Sequence, residues 1–178
     1  MEKKNAVSHA ALAAWLMLGG VDLPALADDH DERDDRRDGA PADIVGAWKM
    51  MFRFTTCDTP RIPLERPAFP SLNTFFADGN LIESSSGLSP ANRTISQGRW
   101  QQIGKRTLIG RSELQLFEGG STYTGYQVLE RTFSLSRDGN ELTTDVRWTR
   151  FNTSNVVTFS GCATETGKRQ PEPTSPPK

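Results

Sequence analysis

The sequence predicts an all-β domain, an eight-stranded antiparallel up-and-down β-barrel closed by pairing of its first and last strands. Three observations carry this. Between residues 44 and 169 no window holds a helical period; short runs rich in Phe, Val, Ile, Thr and Trp recur, separated by turn residues. Two of the connections, Asp78-Gly79-Asn80 and Asp138-Gly139-Asn140, carry the Asp-Gly pair that supplies the positive φ angles of a tight hairpin. The two cysteines fall at opposite ends of the series, Cys57 closing the first run and Cys162 inside the last.

Taken in order, residues 1–27 have the form of a signal peptide. Lys3 and Lys4 give a positive start, Ala10 to Val21 is largely apolar, and Ala25-Leu26-Ala27 has the small-x-small pattern of a cleavage site. A secreted or periplasmic location follows, and an apolar stretch this short does not span a bilayer, which needs ~20 residues. Residues 28–43 form an acidic leader with no apolar residue before Ala40, so burial cannot offset its ordering entropy. The barrel domain is expected over 44–169, with strands near 44–56, 70–77, 80–86, 95–103, 106–118, 123–136, 141–152 and 155–168. Gly104-Lys105, Glu118-Gly119-Gly120 and Asn152 to Asn155 supply further turns. Between the first two strands, Pro60, Pro63 and Pro67 mark a stiff irregular loop, either a lid over one end or a plain connector. Residues 170–178 are a Pro-rich tail without a core face.

Charge and composition exclude several functions. The chain of 178 residues has a net charge of −1, and the barrel segment alone holds 11 acidic and 15 basic residues. That surplus attracts anions, or the acidic leader, but the basic residues are scattered with no basic-aromatic stripe, so nucleic acid is not a partner. The only histidines are His9 and His30, outside the barrel, which removes Ser-His-Asp and Cys-His catalysis, histidine-ligated haem and ordinary zinc chemistry. In the leader, Arg33, Arg36 and Arg37 neutralise the aspartates and no calcium-loop spacing is present. No catalytic residue, metal site or cofactor is expected.

Closure of the barrel sets a register. In an oxidising compartment Cys57 and Cys162 can bridge, the alternative being two buried free thiols. A bridge over this span would constrain the unfolded chain by ~3–5 kcal/mol. If Cys57 faces Cys162, Met50 faces Arg169 and Phe52 faces Gly167. Alternation then puts Trp48, Met50, Phe52 and Phe54 inside with Ala163, Glu165 and Arg169, and leaves the disulfide on the outer wall. Glu165 is the one acid this register places inside, to be neutralised by an interior arginine.

Gly46-Ala47-Trp48, at the start of the first strand, resembles the G-x-W signature of the calycin superfamily, which includes lipocalins, fatty-acid-binding proteins and avidins. In lipocalins that tryptophan closes the barrel floor against an arginine near the end of the last strand, and Arg169 stands where the register puts such an arginine. The runs Phe75 to Leu81 and Ser160 to Gly167 are similar to uncharacterised secreted lipocalin-like proteins of bacteria. Two features depart from true lipocalins. A Pro-rich tail replaces the helix after the barrel, and Thr122 to Tyr126 lacks the aspartate of the second lipocalin motif.

The resemblance implies a binding barrel for a small hydrophobic or acidic-lipid ligand. The candidate inner wall is Met50, Phe52, Phe54, Phe75, Trp100, Leu114, Leu129, Phe133, Val146, Trp148, Val157 and Phe159, each of which also serves as plain core. Arg131 and Arg150 share phase with apolar neighbours, and an interior arginine needs an anionic partner. A ligand carboxylate fills that role in fatty-acid-binding proteins; outward placement through a bulge, or pairing with Glu165 or Asp145, are the alternatives. Two other functions stand beside ligand binding: a pocketless barrel acting as an interaction or structural module, and an isomerase or cyclase that shapes a hydrophobic substrate.

Overall fold

A computed structural model describes residues 43–172. The predicted signal peptide, the leader up to residue 42 and the tail from residue 173 lie outside the described residues. The strands are β1 (Gly46–Thr55), β2 (Phe69–Phe75), β3 (Asn80–Ser85), β4 (Ser96–Gln102), β5 (Thr107–Glu118), β6 (Thr122–Leu135), β7 (Glu141–Asn152) and β8 (Val157–Arg169). They form a closed barrel in sequence order, every neighbouring pair antiparallel and β8 returning to β1. Closure leaves no free sheet edge. At the two Asp-Gly hairpins, Gly79 and Gly139 adopt φ of 84° and 74°. In the first, Asp78 accepts the Asn80 backbone N–H at 3.0 Å.

Cys57 and Cys162 are bridged, with Cα atoms 5.2 Å apart. The register differs from expectation by two residues: Trp48 pairs with Arg169, Phe52 with Glu165 and Thr55 with Cys162. The reason is local. β1 ends at Thr55, and the chain bends across the outside of β8 before reaching Cys57, so the disulfide is not a cross-strand pair. Because the shift is even, no side chain changes face, and the aromatic phase stays inside.

The Pro-rich segment after β1 does two things. Its first half folds back on the outer wall: Thr56 N–H donates to the Ile62 carbonyl at 2.8 Å, Leu64 N–H to the Phe54 carbonyl at 2.9 Å, and Arg61 pairs with Asp145 on β7 at 2.9 Å. That half covers the outward-facing Thr55 and Cys162, which are 4% and 2% exposed. Only its later part, from Arg66 to Phe69, reaches the open end. The lid expectation is therefore corrected for the first half, which straps the outer wall.

The floor is closed where Trp48 meets Arg169. The guanidinium lies 4.6 Å from the Trp48 ring centroid. It donates to the carbonyls of Val45 at 2.6 Å, Gly139 at 3.1 Å and Asp43. Trp48 Nε1 donates to the Ile44 carbonyl at 2.9 Å.

Above the floor, the interior is divided. A lower core joins Ile44, Trp48, Met50, Phe75, Leu81, Leu108, Phe133, Leu135 and Leu142, with Trp100 packed against it. An upper core joins Phe52, Leu114, Leu129, Val146, Trp148 and Ala163, with Phe54, Phe69 and Leu116 at its edge. Burial of each large side chain contributes ~1.5–3 kcal/mol. The outward phase carries Lys49, Arg53, Arg99, Arg111, Glu113, Asp145 and Arg147, all exposed. Charges at mid-strand make this a wall that faces water, since charged side chains on the lipid face of a membrane barrel cost several kcal/mol. Among the described residues no helix is long and apolar enough to cross a membrane.

Candidate ligand pocket at the barrel mouth

Between the two cores lies a charged layer. Alternation along β6 points Leu129, Arg131 and Phe133 inward, so Arg131 is carried to the barrel axis. Its Nη2 pairs with Glu83 Oε2 from β3, its Nη1 donates to Ser112 Oγ at 2.8 Å, and its Nε lies 3.5 Å from Glu165 Oε2 of β8. Ser96 donates to Ser112 at 2.8 Å. The three charged side chains are 0%, 3% and 0% exposed for Arg131, Glu83 and Glu165.

One guanidinium thus serves two carboxylates unequally. Both Glu165 oxygens and Arg131 Nε lack a hydrogen bond, so the 3.5 Å contact is electrostatic only. Burial pushes the Glu165 carboxyl up to about 7; Arg131 pulls against this, and the charge of Glu83 adds to it. For Arg131, burial works against the charge, but the two carboxylates outweigh it and hold the guanidinium above its ordinary range.

The charged layer is the base of a cavity of about 260 Å³ that opens at the mouth. Its apolar walls are Phe52, Phe54, Phe69, Leu129, Trp148 and Phe159. Phe52 stacks on Phe69 at 4.7 Å, and Trp148 on Phe159 at 5.2 Å. Gly161 permits the second stack: a Cβ there would sit 2.7 Å from the Trp148 ring. Three arginines enter the same cavity. Arg66 lies over Phe54 and Arg150 over Trp148, each 5.4 Å from the ring. Arg150 Nε donates to Gln127 Oε1 at 2.8 Å. Arg93 donates to the Thr94 carbonyl at 2.9 Å and to Ser85 Oγ at 2.5 Å, while its Nη2 is buried without a partner. None of the three pairs with a carboxylate among the described residues. Burial lowers the pKa of Arg150; it also lowers that of Arg93, where Arg131 adds to the effect and Glu83 opposes it. Both remain cations at any physiological pH.

A larger groove of about 870 Å³ runs along the outer wall past Arg61, Arg99, Arg111 and Arg147. It is open to solvent and has no aromatic cluster, so it lacks what holds an apolar ligand.

Of the residues expected on the inner wall, Phe52, Phe54, Leu129, Trp148, Arg150 and Phe159 line the cavity. Phe159 is at the rim and 52% exposed, and Val157 beyond it is exposed. Leu114 and Val146 stand in the upper core without lining the cavity. Met50, Phe75, Phe133 and Trp100, also expected on the inner wall, lie in the lower core, beneath the charged layer, and do not line this cavity. Trp100 is held there by its Nε1, which donates to the Phe76 carbonyl at 3.0 Å. Arg131 does not line the cavity; it lies beneath it, with its Nη2 held by Glu83 and its Nη1 by Ser112. Glu165 is inside, but it is not the only interior acid. Glu83 shares the inward phase with Leu81 and Ser85, a signal the alternation of β3 carried. Gln127 likewise follows from the phase of Leu129. Arg66, Phe69 and Arg93 lie on or beside irregular connections where no period marks a side chain's direction.

Among the described residues no three His, Cys, Asp or Glu side chains gather to hold a metal ion. No family model matches the chain, and no curated protein matches it. Fold and site define an up-and-down barrel whose lower half is filled by side chains and whose upper half holds an aromatic pocket rimmed by arginines.

Proposed function

We propose that this protein is a secreted or periplasmic, lipocalin-like barrel that binds a small anionic amphiphile at its mouth. The single observation that carries the reading is the set of three arginines, Arg66, Arg93 and Arg150, without carboxylate partners among the described residues, around an aromatic-walled cavity. The apolar tail of the ligand rests on Phe52, Leu129 and Trp148, and its headgroup takes the free donors of Arg93 and Arg150. A charge-assisted hydrogen bond of this kind contributes ~1.5–3 kcal/mol. The cavity is at the low end of the ~300–1,000 Å³ usual for small-molecule sites, and the charged layer blocks further depth. Short-tailed acids therefore suit it better than long-chain lipids. The closed disulfide supports an oxidising compartment.

Calorimetric titration with octanoate and with octanol, equal in tail and different in charge, tests the reading. Octanoate is expected to bind at least about tenfold more tightly, a difference of ~1.4 kcal/mol. Arg150→Gln is expected to erase most of that advantage while leaving octanol unchanged. Equal affinity for acid and alcohol in the wild-type protein would refute it.

A further inference from the structure

Arg131 is shared between two carboxylates, and the sharing is lopsided. Glu83 holds the ion pair and faces the cavity; Glu165 has one long electrostatic contact and no hydrogen bond to either oxygen. With both acids ionised, the cluster carries one uncompensated negative charge directly under the pocket. Among the described residues, Arg131 is the one cation that acts on Glu165. Its strand partners are Phe52 on β1 and Thr144 on β7, and the other buried polar residues on the inward phase, Ser71 and Asn73 of β2, Ser96 of β4 and Ser112 of β5, are uncharged. The charged groups facing it are Glu83 on β3 and Arg131 on β6, with Arg93 above, and no histidine lies among residues 43–172. Thr144 Oγ1, on the residue paired with Glu165, is also buried without a partner.

We infer that the pocket takes up its anion together with a proton, and that Glu165 is the group that receives it. This rests on the anionic-ligand reading above. A bound anion raises the cost of the second negative charge beneath it, and protonation of Glu165 removes that charge, leaving Arg131 and Glu83 as a neutral pair. Burial already holds Glu165 near neutrality, so the linkage falls in a physiological range. By reciprocity, the anion binds more tightly wherever its presence adds protons, and affinity falls as pH rises through the Glu165 transition.

The test uses the purified protein and anilinonaphthalene sulfonate, whose sulfonate stays ionised between about pH 5.5 and about pH 8.5, so that a pH dependence over this range belongs to the protein. Its fluorescence-monitored Kd is expected to weaken as pH rises, approaching about tenfold per unit at the steepest point. The uncharged phenylnaphthylamine is expected to show no such trend. Glu165→Gln, checked for fold by circular dichroism, is expected to bind the sulfonate tightly and equally across the range. Saturable but pH-independent binding to the wild-type protein, or a slope that survives in Glu165→Gln, overturns the proton linkage and leaves the pocket reading standing. Absence of saturable binding at every pH overturns both. Should the variant fail to fold, calorimetry of the wild-type protein near pH 7 in buffers of different ionisation enthalpy gives the proton uptake directly, and zero uptake overturns the proposal.

Discussion

Replacing Arg131 by methionine keeps much of the side chain's volume and removes the only cation, among the described residues, within ion-pair distance of Glu83 and Glu165. At pH 8 the variant must either bury two uncompensated carboxylates or protonate them. Breaking a buried ion pair by removing one partner costs ~3–5 kcal/mol, a large share of the ~5–15 kcal/mol that holds a domain together. At about 4 °C per kcal/mol for a domain of this size, Tm is expected to drop by about 12–20 °C. The cost has a pH signature. Glu165 is already protonated in the native state at pH 5, so one of the two stranded charges is absent there and the loss is smaller. Neutralising the acids as well, in Arg131→Met/Glu83→Gln/Glu165→Gln, is expected to recover most of the stability, because an apolar or neutral replacement of a whole buried cluster is often tolerated. Thermal unfolding followed by circular dichroism, at pH 5 and pH 8, measures all of this. A loss of under about 1 kcal/mol for Arg131→Met at pH 8, or an equal loss at both pH values, would refute the reasoning.

Three further outcomes are expected. Glu165→Gln alone stabilises the protein at pH 8 and changes little at pH 5: the native pKa is raised above its unfolded value, so the acid favours the fold while protonated and that advantage is lost as pH rises toward 7. The difference amounts to about 3 kcal/mol by linkage, readable in denaturant midpoints at the two pH values. Cys57→Ser/Cys162→Ser, which opens a link spanning 105 residues, lowers unfolding free energy by about 3–5 kcal/mol in urea titrations. Arg169→Lys keeps the charge but cannot reach the carbonyls of Asp43, Val45 and Gly139 together, and it loses the planar contact on Trp48; a destabilisation of about 1–3 kcal/mol is expected, with a shift in Trp48 fluorescence.

Much of the fold was legible because turn chemistry and alternation are local. Asp78-Gly79 and Asp138-Gly139 mark hairpins by what their backbones must do, and the phase of Trp48, Met50 and Phe52 marks the inside face. The two-residue difference in register arises because the strand ends at Thr55 and tertiary bending brings Cys57 back, so the cysteine is not a strand residue. The site was harder to read. Phase identifies which residues point inward but not their depth, so Met50 and Phe75 in the filled lower core look the same in sequence as Phe52 and Trp148 in the pocket wall. That Arg131 finds its partner on β3, 48 residues earlier, depends on barrel closure and on no short-range pattern. Arg66 and Arg93 come from irregular connections, which have no period to read.

The most direct test of a pocket confined to the upper half is the indole N–H signals of the tryptophans, assigned by single Trp→Phe variants, during titration with octanoate. Trp148 lines the cavity and its Nε1 has no partner, whereas the Nε1 groups of Trp48 and Trp100 are bonded to carbonyls of the lower half. The Trp148 resonance is expected to move saturably while those of Trp48 and Trp100 stay in place. Movement of the lower pair with Trp148 unmoved, or no movement of Trp148 at saturating octanoate, would contradict a ligand site at the barrel mouth.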